Sequence, residues 1–155
     1  MKLDTFTASY IETALWSSTG PKYGVCPCCG KTALLSKLPE PEFEQVAMCD
    51  SPDCGVLETT SEPPLDANYT PDDISPATLA RMVEDCAKFQ AQNEADLSTE
   101  DDRQAGHDFW LTRNGHGAGF WDGDYEEAKG ERLTASSKTF GEFNLYPGDD
   151  GKIYN

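Results

Sequence analysis

Six cysteines stand in a chain of 155 residues, and four of them fall into two spaced pairs. Cys26 and Cys29 form C-x2-C, with Pro27 inside and Gly30 after; Cys49 and Cys54 form C-x4-C, with Gly55 after. Four thiolates complete a tetrahedral shell around Zn2+ and leave no open coordination position, which is the chemistry of a structural rather than a catalytic site. Glycine after each pair accepts the backbone that a tight metal-binding turn imposes. Between the pairs, residues 32–38 and 44–48 are expected to form two short strands, which makes the segment a zinc ribbon. Cys28 is a further nearby thiol, either a non-ligand or one that exchanges with Cys26 or Cys29. A redox reading of the run Cys26-Pro27-Cys28-Cys29 lacks the surrounding βαβ pattern that such motifs occupy. Cys86 belongs to a helical apolar stripe and is expected to be a small core residue.

A second concentration of chemistry-bearing residues lies further on: His107, Asp108, Trp110, Arg113, Asn114, His116, Trp121 and Asp122. Three readings compete. The large aromatics Trp110, Phe120 and Trp121 can be core and cross-strand packing. His107, Asp108 and His116 can act as a metal-dependent or acid–base hydrolytic site. Trp110, Arg113, Asn114, His116 and Trp121 can form an interaction patch, because Trp and Arg are favoured interface anchors. Asp122, Asp124, Asp149 and Asp150 sit in turn sequence without an EF-hand pattern, and ordinary Asx-turn chemistry accounts for them.

The elements that must position these residues follow from pattern. Residues 6–18 read as a helix capped by Thr7, with Phe6 and Ile11 as a hydrophobic staple. Ser75 and Pro76 open a second helix, an N-cap followed by proline at the first helical position. Leu79, Met82, Val83, Cys86 and Phe89 form its apolar stripe, and it is expected to run to about Leu97. Residues 98–107 read as a polar loop. Aromatic-rich runs flanking Asn114-Gly115 predict a β-hairpin over 108–121. A weaker helix over 126–140 is interrupted by Gly130 and stopped by Gly141. A second hairpin over 143–154 turns at Asp150-Gly151, with Pro147 at a strand edge or the turn. Strands joined by short turns are antiparallel. The expected fold is therefore α+β: a small antiparallel sheet of hairpins packed with helices. Residues 1–20 and 60–155 form a single domain, and residues 21–59 form the inserted zinc ribbon.

Charge narrows the partners. Acidic residues number 28 against 12 Lys plus Arg, for a formal net charge of -16. Such a field repels a phosphate backbone, whose binding needs clustered cations. It suits a cationic protein partner, or imitation of the charge of nucleic acid. No apolar run reaches the length of a membrane span and no signal-peptide pattern opens the chain, so the expected location is a reducing cytoplasm.

The stretch "CPCCGKTALLSK…VAMCDSPDCG" resembles the zinc-binding segment of the Ogr/Delta group of phage transcription activators over residues 25–56, and zinc ribbons of bacterial topoisomerases are similar. Here only Lys22, Lys31 and Lys37 are basic, against Glu40, Glu42, Glu44, Asp50, Asp53 and Glu58, so the ribbon is expected to face protein rather than DNA. The remainder resembles a family of small phage and prophage proteins of uncharacterised function over residues 6–19 and 63–155. The motifs are "YIETALWSST", "PLDANY", "AGHDFWLTRNGHGAGFWD" and "LYPGDDGKIY". The resemblance implies a phage setting, with the ribbon as an insertion, and supplies no reaction. The expected function is a non-enzymatic accessory protein with structural Zn2+. It would act on a nucleic-acid-processing protein, in the sharpest form as an inhibitor imitating DNA charge. The rivals are a zinc-ribbon regulator that binds nucleic acid through Lys22, Lys31 and Lys37, and a small hydrolase built on His107, Asp108 and His116. Purified protein is expected to carry about one zinc per chain by elemental analysis, lost when Cys49 and Cys54 are replaced by serine; metal-free protein would remove the ribbon.

Overall fold

Asp4, not Thr7, begins the first helix. Its carboxylate accepts the Thr7 backbone N–H at 2.8 Å and the Thr7 hydroxyl at 2.9 Å. Helix α1 then runs Thr5–Ser17. With the cap moved upstream, Phe6 and Ile11 are no longer staple partners; both are core residues, alongside Tyr10, Ala14 and Leu15. This computed structural model describes residues 2–19, 23–25, 32–34, 58–59 and 64–155. Cys26, Cys28, Cys29, Cys49 and Cys54 lie outside the described residues, as do Lys22, Lys31, Lys37 and the expected strand at 44–48.

After α1 the chain forms β1 (Tyr23–Val25), β2 (Thr32–Leu34) and β3 (Glu58–Thr59), with order β2-β1-β3. Both pairings are antiparallel, with Val25 opposite Thr32 and Gly24 opposite Thr59. The chain rejoins α1 where it left: Thr19 bridges Pro64, and the Leu65 N–H donates to the Ser18 carbonyl at 2.9 Å.

Helix α2 (Pro76–Gln92) has the expected cap, the Ser75 hydroxyl accepting from the Thr78 N–H at 3.2 Å. Met82, Cys86 and Phe89 of its stripe are buried. The helix does not run unbroken to Leu97. Asn93 turns its side chain back onto the Phe89 carbonyl at 2.8 Å and onto Ser136 at 2.8 Å, and the short α3 (Glu94–Leu97) follows.

The largest correction is α4 (Asp102–Arg113), a helix where a loop and the first strand of a hairpin were expected. Asp101 caps it, accepting from the Gln104 N–H at 2.9 Å. The Asn114-Gly115 pair closes this helix instead of turning a hairpin. The His116 N–H reaches the Leu111 carbonyl at 3.0 Å and the Gly115 N–H reaches that of Thr112 at 3.3 Å. Those two bonds, with Gly115 at φ 68°, are the Schellman ending of a helix. Asn114 itself keeps a negative φ of -96°.

Helix α5 (Glu127–Lys138) matches expectation, and Gly141 at φ 69° follows its end. Gly130 serves close approach rather than interruption: a Cβ there would lie 2.5 Å from the Phe120 carbonyl oxygen. Of the two expected hairpins only the second forms. Its strands β4 (Tyr146–Pro147) and β5 (Ile153–Tyr154) pair antiparallel, Tyr146 opposite Tyr154. The described residues are thus mostly helical, with the small two-stranded antiparallel sheet β4-β5 in addition to the three short strands β2-β1-β3, an α+β arrangement.

Helices α1 and α4 pack tightly around aromatic rings. Phe89 and Phe109 stack with centroids 4.0 Å apart, and Tyr10 meets Trp110 edge-on at 5.2 Å. Each such ring contributes about 1.5–3 kcal/mol by leaving water. Gly106 is what lets α4 come so near: a Cβ there would lie 2.1 Å from the Phe6 carbonyl oxygen. In an isolated helix Gly→Ala gains about 1 kcal/mol. At this contact the backbone cannot yield, and overpacking costs about 1–3 kcal/mol or more. Gly106→Ala is therefore expected to lower the urea midpoint; a higher midpoint would show that α1 and α4 are not in this contact.

Candidate functional site

The expected interaction patch does not survive folding as a unit. Trp110 is 1% exposed and its indole N–H donates to the Ser17 hydroxyl at 2.7 Å. Arg113 is 5% exposed and its guanidinium points inward. Nε donates to the Gly141 carbonyl at 2.9 Å and Nη2 to the Phe140 carbonyl at 3.0 Å. Nη1 serves both the Tyr10 hydroxyl at 2.7 Å and the Asp85 carboxylate at 2.9 Å. Its face lies over Phe143 at 5.1 Å and Phe109 at 5.5 Å. Burial pushes the Tyr10 phenol up, against the pull of the Arg113 charge, so it remains a neutral partner. Asn114 is used locally, donating to the Trp110 carbonyl at 3.0 Å and accepting the Phe143 N–H at 2.7 Å. Trp110 and Arg113 are framework residues because helix α4 turns them onto α1; on a hairpin strand they would have alternated in and out.

The acid–base candidates are partly assembled. Asp108 is 1% exposed. One oxygen faces His107 Nδ1 at 2.9 Å; the other accepts from the Gln104 amide at 2.9 Å and from the Tyr125 hydroxyl at 2.8 Å. Opposite a carboxylate, which only accepts, Nδ1 is the nitrogen suited to donate. The imidazole also stacks on Trp16, with centroids 5.9 Å apart, beside a cleft of about 270 Å³ lined by Ser9, Glu12, Thr13 and Arg103. His116 does not join them. It follows the end of α4, and the helix alone carries Arg113 about 9 Å along its axis from His107. His116 is not among the residues that line this cleft. Among the described residues no group of three His, Cys, Asp or Glu is placed to hold a metal ion.

Trp121 alone of the expected anchors is presented outward, 55% exposed. It borders a larger cleft, about 730 Å³, between α5 and the loop that precedes it. Phe120 and Tyr125 form one wall, and Glu127, Gly130, Glu131, Thr134 and Lys138 form the α5 side. The wall is rigid: Tyr125 meets Phe120 edge-on at 5.1 Å, and its hydroxyl is tied to Asp108. Burial first, then that bond to a carboxylate, pushes the Tyr125 phenol up and keeps it a donor. The Thr134 hydroxyl oxygen is buried without a hydrogen-bond partner, the one such side-chain atom among the described residues. Nearby Ser137, by contrast, donates to the Leu133 carbonyl at 2.8 Å. Sequence reasoning missed Glu127, Glu131 and Thr134. The available signal was the helical spacing of small and acidic residues at 127, 130, 131 and 134, a face too poor in apolar side chains to be core.

The chain matches no protein-family model, no curated protein and no solved structure. No helix among the described residues is long and apolar enough to cross a membrane.

Arg113 offers a direct check of the framework reading. Removing one partner of a buried, hydrogen-bonded charge costs about 3–5 kcal/mol. Arg113→Met is expected to reduce the unfolding free energy by about that much in urea titration. Arg113→Lys should recover only part, since an ammonium cannot reproduce the planar fork. Wild-type stability in either variant would return Arg113 to the surface.

Proposed function

We propose that this chain is a non-enzymatic acidic accessory protein that binds a cationic, nucleic-acid-handling protein. In its sharpest form it occupies the surface where that protein would hold DNA. The ribbon at residues 21–59, held by Zn2+ on Cys26, Cys29, Cys49 and Cys54, supplies a second contact surface. The resemblance to small phage proteins supports a phage setting and action in the host cytoplasm.

The observation that carries this reading is the disposition of charge. Many of the cations in the described fold are engaged by carboxylates of the fold itself. Arg113 meets Asp85 in the core; Arg103 meets Glu12 at 2.9 Å, Arg132 meets Asp96 at 2.6 Å, and Lys129 meets Glu100. Asp72, Glu84, Asp102, Asp122, Asp124, Glu126, Glu127, Glu131 and Asp149 are exposed. Surface pairs of this kind contribute little stability. They do cancel positive charge locally, and the field that reaches a partner is negative.

Two features support the inserted ribbon. Strands β1 and β2 pair in register on either side of residues 26–31, which contain the first cysteine pair. The bridge between Thr19 and Pro64 brings the ends of the inserted stretch together. The hydrolase alternative has less support, because His116 stands apart from the His107–Asp108 pair.

Affinity capture from host lysate at physiological salt, followed by elution with duplex DNA, tests the reading. A DNA-binding protein retained on the column and displaced by DNA is the expected result. A column that retains nothing would remove the interaction reading; a partner indifferent to DNA would remove the charge-imitation form of it.

A further inference from the structure

We infer that the cleft between Trp121 and helix α5 is a receptor for an arginine side chain presented by the protein partner. The inference rests on the proposed interaction with a cationic protein and names the place and the chemistry of recognition.

The cleft is a demanding site for most occupants. Glu127 and Glu131 lie along it, and any group that covers them must replace water around two carboxylates. An apolar helix or an aromatic side chain would leave those charges unpaired, which is costly. A phosphate or an anionic surface would be repelled. Trp121, 55% exposed at the rim, offers the aromatic face most favourable to a cation.

One side chain meets all of these conditions. A guanidinium carries a positive charge, five N–H donors in a planar fork and a flat face that stacks on indole. Its donors can serve the carboxylates while its face meets Trp121. A lysine ammonium matches the charge but lacks the flat face and the fork. Lys138 also lines the cleft and is the one cation there, so it opposes the occupant.

The test is calorimetric titration of the full zinc-loaded protein with acetyl-hexa-arginine amide, with hexa-lysine as comparator. Hexa-arginine is expected to bind more tightly than hexa-lysine. Trp121→Ala should weaken it about five- to tenfold, within the range of a partly desolvated cation–π contact. Glu127→Gln with Glu131→Gln should weaken it more than Asp102→Asn with Asp149→Asn, a pair that removes equal charge outside the cleft. Lys138→Gln should strengthen binding. All of the variant positions are exposed, so folding is not at stake in them.

Equal affinity for the two peptides, or equal losses from the two carboxylate pairs, would overturn the inference by reducing binding to general charge. In that case a DNA-displaceable partner recovered by capture would leave the broader interaction reading standing. Cleft-dependent arginine binding without such a partner would do the reverse.

Discussion

A guanidinium placed inside an aromatic core is the constraint on which the rest of this fold depends. Arg113 cannot lose its charge, so folding must satisfy its N–H groups or fail. The acceptors come from distant parts of the chain: Tyr10 on α1, Asp85 on α2, and the carbonyls of Phe140 and Gly141 after α5. The donor fork is rigid, so it fixes directions as well as distances. Phe109 and Phe143 lie against its face, which makes the aromatic core part of the same arrangement. Apolar residues replacing the cation and its acceptors together would match this stability, whereas removing the cation alone strands its partners; what the cation adds is a single geometry for α1, α2, α4 and the turn after α5.

Sequence pattern revealed the elements whose signals are local. Ser75-Pro76 and the stripe through Met82, Cys86 and Phe89 specify α2 without reference to anything else. The turn at Asp150-Gly151 likewise specifies its own hairpin, with Gly151 at φ 76°. Helix α4 was hidden for a physical reason. Its buried residues are Ala105, Gly106, Asp108, Phe109, Trp110, Leu111, Thr112 and Arg113, and Gly106, Asp108, Thr112 and Arg113 do not count as apolar in any periodicity. Gly106 is inward because backbone approaches it, and Arg113 because its charge is satisfied there; neither fact is visible without the partner elements. Asn114-Gly115 correctly signalled a positive φ but not which element it ended. The candidate site shows the same division. Trp121 was legible as an unusual residue, and His107 with Asp108 as neighbours. The cleft itself was not, since it exists only where the loop at 120–125 crosses α5 at Gly130.

The two clefts are joined through one buried carboxylate. Asp108 accepts from Tyr125, whose ring walls the Trp121 cleft, and faces His107, which borders the smaller cleft beside Trp16. The sequence order of these residues says nothing of the connection. It arises because α4 buries Asp108 between its own preceding side chain and a tyrosine from the loop ahead of α5.

The β-bridge that pairs Thr19 with Pro64, with the Leu65 N–H donating to the Ser18 carbonyl, makes a seam in the backbone. A chain that leaves and returns at a closed seam does not ask the core to hold its ends together. In polymer terms, doubling the length of what lies between adds only about 0.6 kcal/mol of closure entropy. Such a junction leaves the aromatic core and its buried guanidinium insensitive to the length of chain between residues 19 and 64.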